Sequence, residues 1–310
     1  MQRPVISVCT PTYNRAHTIA RVFKSLESQS YRNFEWIIVD DGSTDNTRNV
    51  VESFCQTADF PIIYHYQANA HKKTAVNKAV SLSSGEFVLI ADSDDEFPED
   101  SIESMVICWN SIPEDSRQIF AGVSGLCEDQ NGIIVGDLYP SDDGYLDSDT
   151  IALRLIHTVS GEKWGMVKRE LMLKYAFPES VPGHIPENYM WSQISDGYKT
   201  RFFNKVVRIY YQDSGNQLSN INDFRPNSLG ALVSKKVSLS IEIKYFRAKP
   251  TYFFMEGCRW WRFLMHSRHM AHITEYLPQS KVGLSVVALT MLPGLCWFLF
   301  DTLKFWAERR

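Results

Sequence analysis

The stretch Phe87-Val88-Leu89-Ile90-Ala91-Asp92-Ser93-Asp94-Asp95 is an apolar run that ends in carboxylates. The run is short and unbroken in polarity, so it reads as a strand covered on both faces. An open α/β sheet binds its ligand in the crevice outside the carboxyl ends of its strands, and this run delivers its acids to that edge. Asp92 and Asp94 stand two apart, and with a turn at Ser93 both reach one hard cation and the oxygens of a diphosphate. The same residues also suit the acidic first turn of a helix, because Asp95, Glu96 and Pro98 precede a helical pattern from about Ser101.

The chain before this stretch repeats its design. Residues 6–9 form a buried-strand pattern that breaks at Thr10, Pro11, Thr12, Tyr13, Asn14 and Arg15, and a helix follows with Ile19, Val22, Phe23 and Leu26 on one face. A second strand over 34–39 ends in Asp40-Asp41-Gly42-Ser43-Thr44-Asp45, where Ser43 or Thr44 caps a helix whose inner face is Val50, Val51 and Phe54. A third strand is expected over 62–66, a third helix over 74–82 and the fourth strand over 87–91. Strands and helices alternating at this spacing predict βαβ units, a parallel sheet and a doubly wound nucleotide-binding half. Each strand ends in a polar cluster, at 10–15, 40–45, 69–73 and 92–95, and clusters at one sheet edge form one site. Neither GxGxxG after the first strand nor GxxxxGK[ST] anywhere is present, which disfavours dinucleotide dehydrogenases and P-loop enzymes.

Composition sets outer bounds. The 310 residues are 44% hydrophobic and 22% charged, ordinary for one large or two medium globular domains. With 32 Lys and Arg against 36 Asp and Glu the net charge is −4, so no basic excess exists to neutralise a nucleic-acid backbone. The six cysteines show no CxxC pairing and no zinc spacing, and read as reduced thiols of a cytoplasmic protein. The amino terminus lacks the charged start and apolar run of a signal peptide. The carboxyl end carries an apolar segment at 282–300, near the lower length limit for crossing a bilayer, interrupted by Pro293 and Gly294. A span, a helix lying in the membrane interface and a buried core helix are all open; Trp297, Trp306 and the terminal basic residues suit a membrane surface.

Three strings now make a resemblance specific: Ser7-Val-Cys-Thr-Pro-Thr-Tyr-Asn-Arg15, Ile38-Val-Asp-Asp-Gly-Ser-Thr-Asp45 and Ala91-Asp-Ser-Asp-Asp95. In order and spacing they resemble the amino-terminal half of family 2 glycosyltransferases of the GT-A fold, over roughly residues 4 to 110. The resemblance implies an α/β, Rossmann-like, mostly parallel sheet sandwiched by helices, and inverting transfer of a sugar from a nucleoside diphosphate with Mn²⁺ or Mg²⁺. It implies that Tyr13, beside Pro11 and Thr12, stacks on uracil, that Asp41 or else Asp40 accepts the base's N3 proton, that Asp92 lies near ribose and metal, and that Asp94 ligates the metal. Arg15 and Ser93 fall within the same nucleotide-binding strings. Chemistry agrees: an aromatic face stacks, a carboxylate accepts from an imide N–H, and hard cations take oxygen ligands. Lys72 and Lys73 sit where family members carry a glycine-rich stretch with a basic residue, and read either as phosphate contacts or as a solvated helix start.

Downstream the pattern changes. Residues 120–126 and 133–135 read as a hairpin or two adjacent strands, 137–149 as an acidic surface loop, 151–158 as a short helix, and Gly161 to Gly165 as the entry to a strand reaching Val167. In related enzymes this region shapes the sugar pocket, so Glu162 and Trp164 are candidates for sugar contact, although a Trp here equally suits the core. Glu187, after a proline turn, matches the family position of the base that deprotonates the acceptor; Asn188 and Trp191 follow it as acceptor-site candidates. A last strand is expected over 202–211, then a polar loop at 212–219 in the place of a lid, then helices over 234–246, 252–266 and 270–277.

The sequence therefore predicts a catalytic domain over 1–220 and a helical, membrane-associating region over 221–310. The expected activity is a metal-dependent, inverting glycosyltransferase with a nucleotide-sugar donor, UDP foremost, and a saccharide or lipid-linked acceptor, at the inner face of a bacterial plasma membrane in surface-polysaccharide synthesis. Alternatives are a polyprenyl-phosphate glycosyltransferase, a catalytically inactive sugar-nucleotide-binding module and, least favoured, a nucleotidyltransferase.

Overall fold

The computed structural model describes residues 5–141, 144–211 and 224–307. By contacts the chain divides into two units, residues 1–176 with 197–216, and residues 177–196 with 217–310. The segment 177–196, which carries Glu187, thus packs with the carboxyl-terminal helices.

The first unit is built on an eight-stranded mixed sheet. Its strands are β1 (Ile6–Thr12), β2 (Phe34–Asp40), β3 (Ile62–Tyr66), β4 (Phe87–Ile90), β5 (Phe120–Asp129), β6 (Tyr145–Ser148), β7 (Lys163–Lys168) and β8 (Lys199–Tyr210). Their order is β3-β2-β1-β4-β7-β5-β8-β6. The four amino-terminal strands pair in parallel, as their βαβ spacing requires, whereas β7 runs antiparallel to both β4 and β5. β5 pairs in parallel with β8, and β6 antiparallel with β8. Helices α1 (Ile19–Glu27), α2 (Thr47–Thr57), α3 (Lys72–Leu82), α4 (Ser101–Asn110), α5 (Thr150–Leu155) and α6 (Arg169–Lys174) accompany the sheet. α1 buries Ile19, Val22, Phe23 and Leu26, the face its periodicity marks. Phe23 stacks on Phe54 at 4.2 Å, and both join Trp36, Leu89 and Trp164 in one core.

Several boundaries differ from expectation for identifiable reasons. β1 continues to Thr12, through Pro11, because the pairing with β4 ends at Cys9 opposite Ile90; the missing proline N–H therefore costs no ladder bond. Neither Ser43 nor Thr44 caps α2. Asp45 does that work from one residue further on, accepting from Thr47 N and Thr47 Oγ1 at 3.0 and 2.5 Å. The expected acidic loop at 137–149 contains β6, and Asp149 caps α5 by accepting from Ile151 N and Ala152 N. Residues 133–135 form no second hairpin strand and keep one bridge, Ile134 to Glu128. The loop at 212–219 lies outside the described residues.

The second unit is helical: α7 (Asn188–Ile194), α8 (Ser228–Ser240), α9 (Pro250–Ser267), α10 (Ile273–Tyr276), α11 (Lys281–Leu289) and α12 (Met291–Ala307). Ser192 donates to buried Glu242 at 2.5 Å, and Ser234 to Asn188 Oδ1 at 2.8 Å, tying α7 to α8 and the turn after it. Trp261 Nε1 donates to Val287 O at 2.7 Å, fastening α9 to α11.

Candidate active site

All four polar clusters of the first unit come together at the carboxyl ends of β1, β2, β3 and β4. The first two interlock. Asn14 takes a left-handed φ of 54°, which lets its N–H donate to Ser43 Oγ at 2.8 Å while its Oδ1 accepts from Thr44 N at 2.8 Å. Ala16 N donates to Asp45 Oδ2, and Arg15 N to Thr47 Oγ1. Tyr13, just before this clasp, is 48% exposed and presents a ring to solvent. Pro11 and Thr12 are buried, and the Thr12 hydroxyl has no hydrogen-bond partner among the described residues.

Asp40 and Asp41 separate into different roles. Asp40 is fully buried with both oxygens committed, Oδ1 to Ser43 N at 2.8 Å and Oδ2 to the Tyr64 hydroxyl at 2.7 Å. Burial first, and then this carboxylate, push the Tyr64 hydroxyl pKa upward. Asp41 accepts from Gln67 Nε2 and Ala70 N, and both donors fall on the same oxygen, Oδ1. Gly42 between this pair and Ser43 has φ +87°, and a Cβ there would lie 2.8 Å from Asn69 N, so only glycine fits the close approach of the two loops.

The carboxylate stretch that decides the fold sits among cations. Lys72, the first residue of α3, follows His71 at φ +71°, and its Nζ stands 2.7 Å from Asp92 Oδ1. Arg208 on β8 approaches from below: its Nη2 lies 2.8 Å from Asp95 Oδ1 and 3.7 Å from Asp92 Oδ2. Asp92 N donates to Asp95 Oδ2 at 3.1 Å, closing the turn. Burial works to raise the Asp92 carboxyl, and Lys72, Arg208 and Arg15 overcome it, holding it below the ordinary carboxylate range. Burial pushes the Asp95 carboxyl up to about 7 against the pull of Arg208. Arg208 is 7% exposed and its Nε has no partner among the described residues, so one buried guanidinium anchors the acidic turn. Arg21 supports the turn from the other side, donating from Nη1 to Asp94 O at 3.0 Å and stacking 3.7 Å over the Tyr211 ring. Lys73 is buried within α3.

Among the described residues no group of three or more His, Cys, Asp or Glu side chains converges as a metal cage. Asp92 and Asp94 nevertheless suit Mg²⁺ or Mn²⁺, ions that are held by one or two carboxylates and complete their shell with substrate phosphates and water. The donor set therefore fits a cation that arrives together with a diphosphate.

Trp164 does not present a sugar-binding face. It is 6% exposed, its ring stacks on Phe97 at 4.5 Å and 1°, and its Nε1 donates to Ile90 O at 2.5 Å, so it is a strut under the end of β4. Glu162, two residues before it, is exposed. In the second unit Glu187 is exposed at the first position before α7, with no side-chain capping bond. Asn188 is drawn to Ser234, and Trp191 is half-buried. Arg208, Asp95 and Arg21 were not singled out from sequence as site residues. The only available signal was an arginine set in the apolar run of β8.

Residues 7–119 match the family described as "Glycosyl transferase family 2". The chain is a glycosyltransferase, similar over that stretch to family 2. One relative of this glycosyltransferase is the GalNAc(5)-diNAcBac-PP-undecaprenol beta-1,3-glucosyltransferase of Campylobacter jejuni, 26% identical over 81% of both chains. Another is the putative teichuronic acid biosynthesis glycosyltransferase TuaG of Bacillus subtilis, 34% identical over 34% of this chain and 41% of that one. The solved structure of S. aureus TarS in complex with UDP-GlcNAc superposes with a TM-score of 0.61 at 18% identity, over 93% of the glycosyltransferase and 88% of TarS. The mannosyltransferase PcManGT from Pyrobaculum calidifontis, in complex with GDP-Man and Mn²⁺, has a TM-score of 0.53 at 18% identity, covering 97% and 88%. These superpositions show the GT-A-like fold of the chain.

Proposed function

We propose that the glycosyltransferase moves one sugar from UDP to a hydroxyl of a saccharide or lipid-linked oligosaccharide acceptor, with inversion, in the synthesis of a bacterial surface polysaccharide. The observation that carries this reading is the convergence of Tyr13, Asp41, Lys72, Asp92 and Asp94 at one edge of the sheet. Tyr13 stacks on the uracil and Asp41 accepts its N3–H, because Asp40 has both oxygens committed. Lys72 and Arg15 face the diphosphate, and Ser93 lies within the turn between the two acids. Asp92 and Asp94 would hold a divalent cation, which would neutralise charge on the departing diphosphate. Glu187 takes the proton from the acceptor hydroxyl as that oxygen bonds to the anomeric carbon; the carbon–oxygen bond to UDP breaks and UDP leaves with the electron pair. The relative from C. jejuni, named for a lipid-linked acceptor, supports an acceptor of that class. The same acceptor supports work at the inner face of the membrane, with the carboxyl-terminal helices as the contact.

The test is turnover across UDP-, GDP- and dTDP-sugars with Mn²⁺, comparing wild type with Asp94→Ala. Transfer from one UDP-sugar that is lost in the variant is expected. Neither turnover nor donor binding under any condition would leave only a non-catalytic module.

A further inference from the structure

The second unit carries an apolar surface that none of its described elements covers. Along α12, Leu292, Cys296, Leu299, Phe300, Leu303 and Trp306 are exposed at spacings of three and four residues, which sets them on one face. Leu289, 70% exposed, adds an apolar side chain at the end of α11, which meets α12 at a bend of 56°.

The opposite face of α12 is fixed by charge. Asp301 is 6% exposed and accepts from Arg262 Nε and Nη2 at 2.5 and 2.9 Å, with His266 Nε2 at 3.0 Å. The Arg262 guanidinium lies 4.6 Å over Trp297, and Arg225 lies 3.9 Å over Phe305. Asp301 is the only acid between residues 278 and 307, so the exposed charges of this stretch, Lys281 and Lys304, are both positive.

We infer that α11 and α12 dock on the surface of an anionic lipid bilayer and do not cross it. The bare face enters the headgroup and acyl boundary, Trp306 sits at that boundary, and Lys281 and Lys304 meet anionic headgroups. Crossing would strip Asp301 from Arg262 and His266 or carry the charges into hydrocarbon, and an unpaired charge there is strongly disfavoured. Among the described residues no single helix is long and apolar enough to cross a membrane, whereas α11 and α12 together, bent by 56°, have the length and composition for a broken span. The paired Asp301 on α12 is what sets the docked arrangement against that one. The inference deepens the membrane contact of the proposed function and does not depend on catalysis.

The experiment is flotation of the full chain with phosphatidylcholine vesicles, with and without phosphatidylglycerol. Wild type is expected to float with the anionic vesicles. Leu299→Asp with Leu303→Asp, both on the exposed face, is expected to lower that affinity at least about tenfold with an unchanged circular dichroism spectrum. Lys281→Glu with Lys304→Glu is expected to abolish the preference for phosphatidylglycerol. In a background with Cys55→Ser and Cys296→Ser, Lys281→Cys and Lys304→Cys are each expected to react with a membrane-impermeant maleimide added outside the vesicles. Protection of one of the two until the vesicles are lysed marks a span and overturns the inference. So does flotation untouched by the leucine substitutions, or a dimer that covers the face while wild type stays off the vesicles. Donor binding is measured on the same samples: its absence alongside intact flotation strikes the transferase reading and supports the docking surface.

Discussion

Lys72 Nζ stands 2.7 Å from Asp92 Oδ1, so the carboxylate that the proposed function gives to the metal already has a cation of the chain's own. A metal without nucleotide must compete with this ammonium, whereas a diphosphate offers Lys72 another anionic partner. On the proposed function, metal and nucleotide binding should therefore be coupled. Lys72→Met should raise the affinity for Mn²⁺ alone by about tenfold, roughly 1.4 kcal/mol, and lower the affinity for UDP in the presence of a chelator by a similar factor. Mn²⁺ electron paramagnetic resonance and calorimetry measure the two; equal Mn²⁺ affinity in wild type and variant would remove the coupling.

Arg208 is buried beneath Asp92 and Asp95, and removing it leaves the buried Asp95 carboxyl without its partner. Breaking a buried pair from one side costs about 3–5 kcal/mol. Arg208→Met should lower the melting temperature sharply, and Asp95→Asn in the same chain should restore part of the loss because the ionisable group stranded in the buried turn is gone. A double variant no more stable than Arg208→Met would mean that the arginine acts through packing alone.

Much of this frame is legible in the sequence, and the exceptions have causes. The run at 87–91 and the strands before it are local apolar patterns separated by turn residues, so their positions and order follow from periodicity. β6 and the long β5 were less visible, because the edge strand Tyr145–Ser148 is short and polar and is held by pairing with β8, more than fifty residues away in sequence. Trp164 reads equally as a sugar platform or core; only the register of β7 against β4 and β5 decides which way it faces. Arg208 could not be assigned from β8, because its partners lie on a turn over a hundred residues earlier.

Trp164 in its role as strut gives a clean separation of stability from binding. Trp164→Ala opens a cavity against Phe97 and removes the donor to Ile90 O, a loss of about 3–5 kcal/mol. Trp164→Phe should cost less and leave the acceptor KM unchanged. A raised acceptor KM at unchanged melting temperature would identify a sugar contact after all.

Asp40 and Asp41 are neighbours with opposite expected phenotypes. Asp40→Asn should weaken the bonds from Ser43 N and Tyr64 and destabilise the fold by about 1–3 kcal/mol. Asp41→Asn should leave the melting temperature closer to wild type and selectively weaken uridine nucleotides, since an amide nitrogen facing N3–H offers a donor where an acceptor is needed. Thermal melts and UDP titrations on both variants check the division, and a larger UDP defect in Asp40→Asn would reverse it.

Glu187 is exposed at the start of α7, and its proposed role concerns the acceptor proton alone. Glu187→Gln keeps the shape of the side chain and removes its basicity, so kcat should fall about 10²–10⁴-fold while UDP-sugar affinity stays at the wild-type value. The outcome also separates two acceptors. A sugar hydroxyl has to lose its proton as it attacks, whereas a polyprenyl phosphate arrives ionised and needs no base. A kcat near wild type in Glu187→Gln, with donor binding intact, would therefore shift the acceptor from a saccharide hydroxyl to a lipid phosphate.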